Sequence, residues 1–383
     1  MRLFRQLVLL LLLTTGSRAQ SKQQGHIINI IFTSDAHYGI NRKDFRGDTA
    51  ASGHTVNRAM IREMNQLPGI RLPRDQGINS GNETGPIDYL IQGGDVANRM
   101  EIPIPSAAIS WRQFQSDYIH TLKLKNHLGQ KTTLLLIPGN HDLSNALGFY
   151  RPMKPITDPA PMVGIYNLMM HPTKPLTKAC YNYARDKVNY SKNIGGIHFI
   201  FITLWPDSSE RKWMEKDLAK VSLRTPVVLF THDEPESEAK HFSNPNKKRG
   251  INATDKFENL LAEIYKEGPT ILADSGKTTM EQQGWVDFIA KHPNIKAYFH
   301  GNSNWNQFYT YHGPDSTVSL PTFRVDSPMK GKFSGTDEKR LSFQVITIDT
   351  KTRYMTVREC LWNTDPSDPA RSIKWGDSQT IAL

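Results

Sequence analysis

The chain has 383 residues, of which 38% are hydrophobic and 22% charged, with a formal net charge of +10. These proportions exclude a disordered or fibrous polymer, and the length allows one large or two medium domains around a substantial core. The basic excess suits anionic partners. Even so, Lys247-Lys248-Arg249 is the only compact basic cluster and carries no interleaved aromatics, so no specific nucleic-acid binding is indicated.

The N-terminus pairs Arg2 and Arg5 with an apolar run over 7–13 and then Ser17-Arg18-Ala19 before Gln20. This layout predicts a signal peptide over 1–19 and a mature chain that is secreted or periplasmic. The apolar run is too short to span a bilayer comfortably, and no later stretch resembles a transmembrane helix. Cys180 and Cys360 are too few and too distant for a thiolate zinc site or a disulfide scaffold, leaving one bridge or two buried thiols. Asn82-Glu83-Thr84, Asn189-Tyr190-Ser191 and Asn252-Ala253-Thr254 are glycosylation acceptors wherever the host glycosylates.

From residue 20 onward the sequence reads as one α/β domain. Apolar, β-branched runs over 27–34, 89–93, 132–137, 197–204 and 227–231 predict buried strands. Helical patterns over 54–66, 107–128, 209–221 and 278–292 fall between or after them, giving an alternating order. Alternating strands near 295–299, 320–325, 341–348 and 354–360 make the C-terminal part, 295–362, β-rich, and we read them as completing a second sheet in the same domain. The expected architecture is two stacked mixed sheets flanked by helices. Insertions near 145–195 and 234–252 are expected to lie on the surface, where such loops often shape a substrate mouth.

Four predicted strands end in groups that can bind metal. Ser34-Asp35-Ala36-His37 places Asp35 and His37 two residues apart, where both side chains can share one ion. Gly93-Gly94-Asp95-Val96 presents Asp95 from a glycine turn, and a carboxylate with two oxygens can bridge two cations. Pro138-Gly139-Asn140-His141-Asp142 offers the Asn140 carbonyl as a ligand and His141 as a proton donor. In the same motif Asp142 is expected to hold the His141 ring in one tautomer. Thr231-His232-Asp233-Glu234-Pro235 adds His232. Taken singly, each motif is also what a helix cap or a polar turn looks like; their succession at strand ends is what points to a site.

This ordered set resembles the calcineurin-like metallophosphoesterases over roughly 27–304. The resemblance implies a four-layer sandwich fold and two divalent metal ions. Asp35, His37 and Asp95 would serve one ion, and Asp95, Asn140 and His232 the other. It also implies hydrolysis of a phosphate monoester or diester by in-line attack of a metal-activated water, with His141 protonating the leaving oxygen. The family's final Gly-His-x-His is here Gly301-Asn302-Ser303-Asn304. Asn302 and Asn304 could then coordinate through amide oxygens, which favours manganese, with magnesium, calcium, zinc or iron as alternatives. His300 and His312 lie nearby and are not counted as ligands. The purple acid phosphatase subgroup is disfavoured, because its first motif lacks a histidine at the place of His37 and its metal-binding tyrosine falls at Asn98. Two rival readings are a catalytically impaired metal-binding protein that keeps the fold and a module that binds phosphate polymers.

Overall fold

A computed structural model describes residues 26–98, 106–143, 158–236 and 279–383. The predicted signal peptide, the basic cluster at 247–249 and most of the 234–252 insertion lie outside the described residues, as does the acceptor Asn252. The first half runs β1 (Ile27–Thr33), β2 (Asn41–Phe45), β3 (Asp48–Ser52), α1 (Gly53–Met64), β4 (Tyr89–Gln92), α2 (Ala107–Phe114), β5 (Thr133–Leu136), α3 (Asn140–Leu143) and α4 (Ala160–Met170). Next come β6 (Tyr190–Ile194), β7 (Ile197–Phe201), α5 (Ser208–Leu218), β8 (Val227–Phe230), α6 (Met280–Lys291), β9 (Ile295–His300), β10 (Gln307–Tyr311) and β11 (Leu320–Arg324). The chain closes with β12 (Ser342–Asp349), β13 (Tyr354–Leu361) and β14 (Lys374–Ala382). No described helix is long and apolar enough to cross a membrane.

Two six-stranded mixed sheets stack face to face, one ordered β14-β13-β12-β1-β4-β5 and the other β10-β11-β9-β8-β7-β6. Within the first, β1, β4 and β5 run parallel; within the second, β7, β8, β9 and β11 do. Alternation along β1 explains the stacking. Ile28, Ile30 and Phe32 enter the buried cluster that also holds Phe230 and Phe299 of the opposite sheet, whereas Ile31 joins the cluster containing Val56 and Met60 of α1. Phe32 meets Phe230 edge-on at 5.3 Å, and Phe230 stacks on Phe299 at 4.6 Å, so aromatic packing fixes one sheet against the other.

The C-terminal strands do not all complete the second sheet, as the sequence had suggested. β9, β10 and β11 do, but β12 pairs antiparallel with β1, from Ile27 opposite Asp349 to Phe32 opposite Gln344, and carries β13 and β14 outward from it. The reason is burial on both faces: seven of the eight β12 residues are buried, which is the environment of a central strand. The helix expected over 107–128 is also shorter. After α2 the backbone widens into a π-helical turn over Gln115–Thr121, with Leu122 donating to the Asp117 carbonyl five residues back at 3.2 Å. That turn directs buried Asp117 at the Tyr38 hydroxyl, 2.9 Å away, and at Arg58, 3.1 Å away.

Cys180 is exposed and Cys360 buried, and both are free thiols, so neither the bridge nor a pair of buried thiols is what forms. Asn189 is buried with its amide bonded to Glu210 and Thr203, which closes that acceptor to a glycan; Asn82 is exposed.

A loop between α1 and β4 is anchored on the outer sheet by charge. Asp75 accepts from Arg358 Nε at 2.7 Å and from Ser378 Oγ at 2.6 Å, and Arg358 itself is buried on β13. Burial pushes the Asp75 carboxyl up, but Arg358, Ser378 and the Gly77 amide outweigh it and hold the group well below its ordinary value. Its stabilisation is therefore full above the unfolded carboxylate value of about 3.9 and drains as pH falls below that, toward the folded value. Asp75→Asn leaves a buried guanidinium half-paired and should cost about 3 kcal/mol in urea unfolding at pH 7. The gap between variant and wild type should narrow as the titration moves below about pH 4. A constant gap would show that the pair is not the cause.

Candidate metal centre

The residues predicted to carry the chemistry converge at the carboxyl ends of the parallel strands. Beyond β1 and β4 the two chain segments continue side by side: Asp35 N–H donates to Gly94 O at 2.9 Å, His37 N–H to Asp95 O at 2.8 Å and Tyr38 N–H to Val96 O at 2.9 Å. Asp35, His37 and Asp95 adopt positive φ values of 55°, 42° and 53°, which few non-glycine residues do. This strain swings their side chains off the strand direction and into one pocket.

Asp95 stands at the centre. Its Oδ2 lies 3.6 Å from His37 Nε2 and 3.8 Å from His141 Nε2, while Oδ1 lies 3.4 Å from His232 Nε2 and accepts the His141 backbone N–H at 2.8 Å. Two groups of potential ligands share it: His37, Asp95 and His141 in one, Asp35, Asp95 and His232 in the other, with the ligand atoms of each group within 4.8 Å of one another. Asp35 also stands 3.6 Å from His37, the pairing that the Asp-x-His spacing suggested. Asn140 directs its Oδ1 at His232 Nε2, 3.0 Å away. The Gly93 carbonyl accepts from His232 Nδ1 at 2.8 Å, so the proton sits on Nδ1 and Nε2 is turned toward the carboxylates.

The donor set fits cations. Asp35 Oδ1 and His37 Nε2 are buried with no hydrogen-bond partner among the described residues, a costly state for a carboxylate and an imidazole unless a cation satisfies them. Burial would raise Asp95, but His141, His232 and His37 pull its carboxyl well below the usual range. Burial would lower His232, yet Asp95, Asp35 and Asp233 drive it well above the ordinary imidazole value. His37 shifts the other way, lowered first by burial and then by the charge of Lys330.

Asp142 does not orient His141. Its two oxygens accept the backbone N–H groups of Val96 at 3.2 Å, Ala97 at 3.0 Å and Gly139 at 3.0 Å, which ties the Asp95 turn to the Asn140 turn. Burial, then repulsion from Asp95, raises its carboxyl to about 7 despite those three bonds. The group facing His141 Nδ1 is instead the Asn98 carbonyl, at 3.3 Å. Adjacency in sequence suggested the wrong partner because α3 begins at Asn140 and turns the side chains of residues 141 and 142 to different sides.

The altered last motif closes over Asp35. Asn302 N–H donates to Asp35 Oδ2 at 2.9 Å, and Asn302 and Asn304 hold left-handed φ values of 61° and 66°. Glu234, which sequence reasoning passed over, binds Asn302 Nδ2 at 3.1 Å and Ser303 Oγ at 2.8 Å. Asn304 donates from its amide nitrogen to Asn302 O at 2.5 Å and keeps Oδ1 buried with no hydrogen-bond partner among the described residues, an oxygen that could serve a cation. His300 is spent structurally: its ring bonds Gly301 O at 3.0 Å and the Tyr309 hydroxyl at 3.1 Å, and burial together with Arg324 depresses it to about 3. His312 faces the Val318 carbonyl at 3.2 Å.

Three glycines let these loops meet. A Cβ on Gly94, where φ is 104°, would lie 2.6 Å from His232 Nδ1; one on Gly301 would strike Ser34 and Asp35; one on Gly139 would strike Asp95 and lie 2.7 Å from His232 Cε1. Gly139→Ala should therefore displace Asp95 and His232 together. It should weaken metal binding, measured by calorimetry, and lower the urea midpoint by an amount equivalent to about 1–3 kcal/mol. Unchanged metal affinity would place Gly139 outside the centre.

The family model described as calcineurin-like phosphoesterase matches residues 28–326. Among solved structures, the chain is similar to a single mutant of Vps29 from Entamoeba histolytica, at 7% identity and a TM-score of 0.33, covering 93% of this chain and 99% of that one. It is also similar to calcineurin-like phosphoesterase YfkN from Bacillus subtilis, at 12% identity and a TM-score of 0.34, covering 93% and 90%. A third likeness is to phosphopantetheinyl hydrolase PptH from Mycobacterium tuberculosis, at 13% identity and a TM-score of 0.32, covering 79% and 91%. No curated protein matches the chain.

Proposed function

We propose, since this chain belongs to the calcineurin-like phosphoesterase family, that it is an exported hydrolase of phosphate monoesters or diesters with a dinuclear centre built around Asp95. Metal-dependent phosphoester hydrolysis is the general chemistry of that family. The observation that carries the finer reading is that the buried Asp95 carboxylate belongs to both groups of potential ligands. The division of the other ligands follows the family order and the short distances from Asp35 to His37 and from Asn140 to His232, not those two groups, which pair His37 with His141 and Asp35 with His232. When bound, two divalent cations would neutralise phosphoryl charge and activate water. Asp35 and His37 would hold one ion, Asn140 and His232 the other, and Asp95 both. The oxygen donors Asn302 and Asn304 favour manganese over zinc or iron, with magnesium and calcium also suited to such a set.

His141 is the proposed proton donor. Its side chain is 10% exposed, against 1% for His37 and 0% for His232, so among the three it is the one open to a substrate. The Asn98 carbonyl at Nδ1 leaves Nε2 to face the leaving oxygen. Asp142 contributes by fixing the turns that carry Asp95 and Asn140.

Metal loading with Mn, Mg, Ca, Zn or Fe, followed by assays on chromogenic monoesters and diesters, tests the proposal. Turnover should depend on manganese and fall by about 1,000-fold or more in Asp95→Ala. Metal binding without turnover would identify a catalytically impaired relative, and no binding at all would leave the fold without its centre. The double substitution Asn302→His with Asn304→His should tighten zinc binding if both side chains reach the ions. An unchanged zinc affinity would instead confine the two asparagines to holding the loop through Glu234.

A further inference from the structure

We infer that Lys330 is a phosphoryl-binding residue of this site, its ammonium gripping a phosphoryl oxygen of the substrate beside the leaving oxygen that His141 faces. The inference rests on the phosphoesterase reading above and extends it to a residue that none of the sequence motifs includes. Lys330 Nζ lies 3.4 Å from His141 Nε2, on the solvent side of the metal-ligand cluster. It is exposed there, whereas Asp35, His37, Asp95 and His232 are buried beneath.

Position, not chance reach of a long side chain, brings it there. Beyond β11 the chain passes Ser327, whose hydroxyl donates to the Asp35 carbonyl at 2.9 Å and accepts the backbone N–H of Lys330 at 2.9 Å. The backbone of Lys330 is thus tied through one side chain to the backbone of a proposed metal ligand. Lys332, two residues on, is placed away from His141, its ammonium 4.2 Å from the centre of the Trp305 ring and 5.4 Å from that of Phe333.

The chemistry explains why a cation is useful at this place. In-line displacement spreads negative charge over the phosphoryl oxygens, and a lysine ammonium binds such an oxygen as a compact point charge. Substrate entering here replaces the direct contact of Nζ with Nε2, a phosphoryl oxygen meeting Nζ and the leaving oxygen meeting Nε2. No bond to Lys330 forms or breaks.

The test uses full-length protein loaded with manganese, in wild-type form and as Lys330→Met, Lys330→Arg and Lys332→Met. Inorganic phosphate is titrated into each by calorimetry, and kcat and KM are measured beside metal content and melting temperature. Lys330→Met should weaken phosphate binding about 10-fold or more and lower kcat/KM about 100-fold, with metal content and melting temperature unchanged. Lys330→Arg should recover most of the phosphate affinity, and Lys332→Met should match the wild type. Wild-type phosphate affinity and turnover in Lys330→Met would overturn the inference and leave the phosphoesterase reading standing. So would an equal loss in Lys332→Met, which would mark a diffuse effect of charge. A wild type with no turnover would defeat the phosphoesterase reading instead, and the phosphate titration would still decide the role of Lys330.

Discussion

Burying the Asp95 carboxylate is the constraint from which the rest of the site follows. A carboxylate removed from water needs compensation, and here it comes from three imidazoles and a backbone amide that approach from different turns. Bringing those turns so close requires backbone that most residues resist, which is why Asp35, His37, Asp95, Asn302 and Asn304 all take positive φ and why Gly94, Gly139 and Gly301 have no room for a side chain. The same crowding leaves Asp35 Oδ1 and His37 Nε2 without a hydrogen-bond partner among the described residues, and cations would complete what the chain leaves unsatisfied.

The two sheets supply the rigid frame for that strain. β1, β4 and β5 deliver Asp35, Asp95 and Asn140 from one sheet, while β8 and β9 deliver His232 and the 301–304 loop from the other. Parallel neighbours end on the same side, so their following turns meet across the seam between the sheets. The Phe32, Phe230 and Phe299 contacts lie directly before those turns in sequence, and they couple sheet packing to ligand placement. Packing at Phe230 therefore bears on His232 two residues later.

What the sequence made legible was set by how local its signals are. Strand 227–230 is an unbroken apolar run and 197–201 is interrupted only by His198, and each proposed ligand sits within a few residues of a strand end, so both could be read from the chain alone. Edge elements could not. The β2–β3 hairpin and β14 are polar and largely exposed, with no apolar period to betray them. The assignment of β12 to the first sheet depends on pairing with a strand more than 300 residues earlier, which periodicity does not encode. The partner of His141 was misread for a similar reason: Asp142 is adjacent in sequence, but helix geometry gives it to the backbone of 96–97 and 139. Lys330 belongs to no motif and Glu234 had no role in the one that contains it, and only the folded loops bring Glu234 to Asn302 and Lys330 to His141.

The central claim is that one buried carboxylate joins two metal ions. A crystal of the protein grown with manganese, with diffraction recorded at the manganese absorption edge, tests it most directly. The account predicts two anomalous peaks about 3.5–4 Å apart, with Asp95 lying between them. A single peak, or ions bound away from Asp95, would contradict it.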